Sequence, residues 1–211
     1  TNGLRWSNGR VWVEVLAQRQ GLICESNKNW SYYGHNGAQL VSATAGFIAP
    51  PDVSNALVVV WVNNADFVDH MTYIYPSLNP TTWSNAINVS LTNHVRAITN
   101  LYAKGVRTLI LPTAVDITKI PQYNTISSTT DKNFIRQRAI IFNASLLAAS
   151  TNLMATRPGL KIYVPDIFSL LDDVVAHAAN YGMTNALYFG QSIDAIGDPA
   201  LTDKSLNGPG R

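Results

Sequence analysis

A single cysteine, Cys24, stands in 211 residues, so the chain has no internal disulfide and no cysteine-based metal site. Charge is scarce as well: 13% of residues are charged and the net charge is +2. Lys and Arg are scattered, with no basic stripe interleaved with aromatics, which argues against a nucleic-acid partner. The acidic pairs Asp172-Asp173 and Asp66/Asp69 have no histidine at ligand spacing, so no metal site is expected. No glycine-rich phosphate loop opens a helix, which weakens a flavodoxin-like nucleotide binder and implies no cofactor. No apolar run reads as approaching the roughly 20 residues of a membrane span, so stable insertion in a bilayer is not expected. Neither an initiator Met nor a secretory leader opens the chain at Thr1, and the expectation is a mature or excised product.

In place of charge the sequence has Asn, Thr and Ser, a surface composition common in exported proteins. A secreted or periplasmic protein is expected. Apolar residues make up 46%, enough for a sizeable core in one domain. Strand-like and helix-like patterns alternate. "GRVWVEVLAQRQG" (9–21) reads as a helix that begins after Ser7 and stops at Gly21. "ALVVVWV" (56–62) is a continuous β-branched run, the pattern of a strand covered on both faces. Trp83, Ile87, Leu91, Val95, Ile98 and Tyr102 recur at helical spacing, with Thr81 or Thr82 as cap and Lys104-Gly105 as stop. "VRTLILP" (106–112) and "LKIYVPD" (160–166) are further strands. Helices follow at about 131–156, with Phe134, Ile135, Phe142, Leu146 and Leu153 inward, and through Leu170, Leu171, Val174 and Val175. Such alternation predicts an α/β fold with a parallel sheet between helical layers. The Pro/Ser/Thr-rich segment 112–130 falls at a strand's carboxyl end, where open α/β sheets place their sites.

Asn63, Asn64 and Asp66 end the strand 56–62, although unpaired amides and carboxylates are costly to bury. Turn chemistry explains them one way. A hydrogen-bond donor delivered to a reaction site explains them another way. Asp66 reads best as a cap for the helix that begins there.

Five segments together resemble the SGNH/GDSL hydrolase family, in its branch of secreted bacterial esterases and lipases. They are "RWSNGRVWVEVLA" (5–17), "NWSYYGHNGAQL" (29–40), "VVVWVNNADFVD" (58–69), and the later strands "VRTLILPTAVDITKIP" (106–121) with "IYVPDIFSLLDDV" (162–174). The resemblance implies a three-layer α/β/α sandwich, flavodoxin-like, spanning 1–211 as one domain incomplete at both ends. It implies a carboxylic-ester hydrolase working by serine acyl transfer on a small ester, lipid or acetylated glycan. Gly34 matches the glycine whose N–H serves the oxyanion hole. Asn64, with Asn63 as the alternative, stands for the side-chain donor. Each such donor is worth roughly 3–4 kcal/mol of barrier. A different function class, a catalytically inactive ligand- or glycan-binding domain, keeps the cleft and has lost the triad.

The sequence departs from the family pattern. A gap-free alignment of the third segment puts Ala65 where the donor asparagine belongs. No Gly-Asp-Ser block lies upstream, and none of His35, His70, His94 and His177 has an Asp three residues before it. The nucleophile-bearing strand of that fold is internal to the sheet, so either a further polypeptide segment completes the sheet or another stretch fills the slot. "NALYFGQSIDAIGD" (185–198) offers Ala186 to Phe189 as a strand and Ser192 as a nucleophile in a circularly permuted order. The alternative makes Ser192 an ordinary turn residue. On this reading the chain by itself is expected to be inactive. His35 is expected in a loop near the cleft and His177 as a packed or solvated helical residue. Trp6, Trp30, Tyr32, Tyr33, Trp61 and Phe67 are expected mainly in the core.

Overall fold

The structure, a computed structural model of the chain, describes residues 11–23, 34–120, 122–123 and 125–181. It divides into two compact units, one from Thr1–Ser31, Lys119–Thr125 and Asp172–Arg211, the other from Tyr32–Thr118 and Ile126–Leu171. Ser192 and Ala186 to Phe189 lie outside the described residues, as do Trp6, Trp30, Tyr32 and Tyr33.

The second unit is built on three short parallel strands in the order β1 (Leu57–Val59), β2 (Thr108–Ile110), β3 (Lys161–Tyr163). Val58 is level with Leu109, and Leu109 with Ile162. The strands are shorter than the apolar runs that predict them, yet pairing continues past their ends. Val60 N–H donates to Ile110 O at 3.0 Å, Leu111 to Tyr163 O at 2.8 Å and Thr113 to Pro165 O at 3.1 Å. The expectation of burial on both faces is corrected at the edges: Leu57 is 51% and Tyr163 56% exposed, while Leu109 at the centre is fully buried. Among the described residues β1 pairs on one side only.

Helices connect the strands, as parallel pairing requires. Between β1 and β2 lie α3 (Asn63–Tyr73) and α4 (Pro80–Ala103), and α5 (Thr129–Thr156) precedes β3. The start of α4 also corrects the expected cap. Neither Thr81 nor Thr82 caps it; Asn79 does, its Oδ1 accepting from Thr82 N–H at 3.0 Å, with Pro80 at the first helical position, where no N–H is needed. The helix stops as expected, at Gly105 with φ +97°. Its inward face carries Trp83, Ile87, Ile98 and Leu101, but also the polar Ser90 and His94, which the apolar periodicity does not show.

Ser128 caps α5, accepting from Asp131 N–H at 3.2 Å. Residues 139–156 of α5 include no charged side chain, and by length and composition the helix is long and apolar enough to cross a membrane. That corrects the reading that no such run exists. Its Ile135, Ala139, Phe142, Leu146 and Leu153 are buried in the unit's interior. One core cluster joins Val60, Leu109, Leu111 and Ile162 of the sheet to Ile98 and Leu101 of α4 and Leu153 of α5. Beside it Phe67, Trp83, Phe134 and Phe142 meet edge to face, with ring centroids 5.8 Å apart for Phe67–Phe142 and for Trp83–Phe134. α2 (Gly37–Gly46) packs on α4.

In the first unit, α1 (Trp12–Arg19) buries no residue, and Glu14 accepts from Val11 N–H at 2.8 Å to cap it. α6 (Ile167–Ala176) runs from the second unit into the first. Its buried residue is Phe168, while Leu170 is 43% exposed.

Candidate functional site

The run from Leu111 to Thr118, at the carboxyl end of β2, is buried at every position. A buried loop needs partners for its backbone groups, and three asparagine side chains supply several of them. Asn63 Nδ2 donates to Pro112 O at 2.8 Å. Asn64 Oδ1 accepts from Val115 N–H at 3.0 Å. Asn143, on α5, takes Ala114 N–H on its Oδ1 at 2.8 Å and donates from Nδ2 to Ala114 O at 2.9 Å, as a neighbouring strand would. Thr113 Oγ1 accepts from Phe168 N–H at 3.0 Å. Within the run Asp116 accepts from Thr118 N–H and Oγ1 and from Arg136 Nη1 at 2.8 Å.

The two strand-ending asparagines therefore differ. Asn63 is 1% exposed and its Nδ2 is engaged with Pro112. Asn64 is half-buried. The Val115 N–H can only donate, which fixes the oxygen side of the Asn64 amide toward the loop. Its NH₂ group has no acceptor among the described residues.

The loop before α2 is fastened to the same end of the unit. Gly34 is exposed and takes φ +76°, a conformation that favours glycine. Asn36 caps α2 through Ala38 N–H at 2.9 Å, and its Nδ2 donates to Asp69 Oδ2 at 2.5 Å. Gly37 N–H donates to Asp66 Oδ1 at 2.7 Å. A Cβ on Gly37 would lie 3.0 Å and 3.1 Å from the two carboxylate oxygens, so the approach depends on glycine. Asp66 thus sits in the first turn of α3 and caps α2, where the sequence predicted a cap for its own helix. The ties from Asp66 and Asp69 bring the Gly34 loop against the helix that begins with Asn63 and Asn64. His35 lies in this loop, half-buried.

Beneath lies a buried polar cluster that the sequence reading missed: Asp66, His70, Ser90 and His94. His94 Nδ1 donates to Ser90 O at 2.8 Å and lies 3.9 Å from Asp66 Oδ2. Ser90 Oγ is 3.5 Å from His70 Nε2. Asp66 Oδ2, His70 Nδ1 and His94 Nε2 are buried without a hydrogen-bond partner. Burial lowers both histidines, His70 to about 4, and raises Asp66 against the pull of Gly37 N–H and His94. His70 is then neutral in the fold and titrates near 6.5 once unfolded, so the unfolded chain binds more protons between those values. Stability is expected to fall as pH drops from 6.5 toward 4. His70→Phe is expected to flatten that fall in urea midpoints measured across the range, and an unchanged pH dependence would count against the assignment.

In the first unit Asp173 Oδ1 is 2.7 Å from His177 Nδ1, which corrects the expectation that the pair Asp172-Asp173 has no histidine at close spacing, and Tyr181 Oη–H donates to the other oxygen. The Tyr181 bond, then that of His177, lowers Asp173. His177 is exposed, a solvated residue at the end of α6. Asp172 pairs with Lys119. Among the described residues no three His, Cys, Asp or Glu side chains are grouped to hold a metal ion.

No family model matches the chain. It is similar to a GDSL esterase/lipase of Arabidopsis thaliana, 29% identical over 168 residues, which cover 76% of this chain and 46% of that protein. The chain thus spans less than half the length of this relative. The likeness supports the GDSL/SGNH family and singles out no branch of it.

Proposed function

We propose that the chain belongs to a carboxylic-ester hydrolase of the GDSL type and carries the donors that stabilise the oxyanion. The observation that carries this reading is the Asn64 amide, held by its oxygen on Val115 with its NH₂ group left available at the carboxyl end of β1. The Gly34 turn, tied to the same helix by Asp66 and Asp69, supplies the second donor as a backbone N–H. On this reading both donors are held before any substrate arrives, which is what makes such donors effective. Ala65 stands at the aligned place of the family's asparagine. The helix begins at Asn63, and Asn64, one position earlier, takes the part.

The reading extends to a secreted protein with the three-layer sandwich of the family, acting on small esters, lipids or acetylated glycans, its sheet completed beside β1 by a further segment. A second reading, an inactive binding domain, is favoured by one observation: Asn63 and Asn64 both serve the loop 112–115, which would keep them in place without catalysis.

Alone, the 211-residue chain is expected to hydrolyse p-nitrophenyl acetate no faster than buffer; turnover abolished by Ser192→Ala would instead give Ser192 the nucleophile's role. In whichever form of the protein shows turnover, Asn64→Ala is expected to lower kcat roughly 100- to 1,000-fold with KM little changed. A kcat within a factor of three of the parent rules out Asn64 as a donor.

A further inference from the structure

Asp66 is a buried carboxylate with one strong bond, and that bond leaves its own helix. Its Oδ1 accepts from Gly37 N–H at 2.7 Å, at the amino end of α2, where the helix dipole also favours an anion. Three residues upstream is the Gly34 turn. Gly37 has no room to retreat: any side chain there would meet both carboxylate oxygens and Asn93 Cβ at 3.0–3.1 Å. A second carboxylate one turn along, Asp69, holds Asn36. We propose that Asp66 is a positioning residue, whose ionised carboxylate fastens the start of α2 to α3 and so holds the Gly34 turn beside Asn64. This rests on the reading of Gly34 and Asn64 as oxyanion donors and adds a control to it: protonation of Asp66 weakens the bond to Gly37 and slackens the turn.

The groups around Asp66 bear on when that happens. Asp69, on the same helix, disfavours a second negative charge and raises the Asp66 carboxyl, as burial does more strongly. His94 from α4 and the Gly37 N–H favour the charged form, as does the Ser90 hydroxyl. His70, on α3, reaches Ser90 from the other side and is neutral above about 4. From the loop, Asn36 is uncharged. The carboxyl therefore titrates above its ordinary value.

The test is amide NMR with hydrogen exchange on the ¹⁵N-labelled 211-residue chain and its Asp66→Ala and Asp66→Asn variants. Val60 and Leu111, bonded within the sheet at 3.0 Å and 2.8 Å, serve as controls. In Asp66→Ala, exchange at Gly37 is expected to rise roughly 10-fold and the Gly34 resonance to shift, with Val60 and Leu111 unchanged. In Asp66→Asn, whose amide oxygen still accepts, Gly37 protection is retained. In the parent, Gly34 and Gly37 titrate with one midpoint above 3.8, and the asparagine variant removes that titration. Gly34 unmoved while Gly37 responds would overturn the proposal. If alanine abolishes the fold, the parent titration alone decides by the same criterion. Turnover separates this claim from the one beneath it. An Asn64→Ala variant of unaltered kcat defeats the oxyanion reading and leaves the clamp standing, whereas a Gly34 resonance indifferent to Asp66 defeats the clamp alone.

Discussion

Replacing Trp83 with alanine is expected to lower stability by about 4 kcal/mol, a fall in Tm of roughly 8–16 °C for a chain of this size. Trp83 is fully buried on the inner face of α4. Its ring stands edge-on to His70 and Phe134, with centroids 5.8 Å away in each case, and its Nε1 donates to Ser77 O at 2.8 Å. Alanine removes the aromatic contacts, opens a cavity and loses the hydrogen bond to Ser77 O together. Phenylalanine retains a ring but not the donor, and roughly 1–3 kcal/mol is expected for that change. Thermal unfolding followed by far-UV circular dichroism decides the matter. A shift under 3 °C for the alanine variant would mean that the aromatic cluster does not hold this face of the unit together.

The second large effect is expected at Asn143. Substitution by leucine, similar in size but without hydrogen-bonding groups, strands both the N–H and the C=O of Ala114, which is fully buried. Each stranded group costs roughly 1–3 kcal/mol, and the expected loss is about 3 kcal/mol. Asn152→Leu, on the exposed side of the same helix, is the control and is expected to stay within about 0.5 kcal/mol of the parent. Urea midpoints for the two variants give the comparison directly. Equal losses would show that the Asn143 clamp adds nothing beyond ordinary helix packing.

The contrast between these residues shows what the sequence could reveal. Trp83, Ile87 and Ile98 advertise themselves by spacing, because one face of a long helix must be apolar wherever it packs. The strands are equally plain as β-branched runs. Their partial exposure is not, since a run says nothing about which edge of a sheet it occupies, and Leu57 is half exposed in spite of its neighbours. Asn143 left no sign at all. An amide that pairs with backbone 29 residues away has no periodicity and no required neighbour in sequence. Ser90 and His94 were hidden for a related reason: they occupy inward positions of α4 that the apolar pattern skips. Asn63 and Asn64 stand out in the sequence because polar residues at the end of an apolar strand are unusual. The division of labour between them, one amide on Pro112 and the other on Val115, depends on where the loop after β2 passes. Asp66 was legible as a cap, but the helix it caps is 29 residues away along the chain.

The loop from Leu111 to Thr118 has a consequence for descent. Its backbone relies on side chains from two separate helices, so Asn63, Asn64 and Asn143 are not free to drift singly. A lineage that loses one of these amides exposes the fold to an orphaned group at once, before any compensating change is in place. Sequences that diverge here are expected to change in concert, at the loop and its asparagines together. Surfaces such as the outer side of α4 face no such restriction.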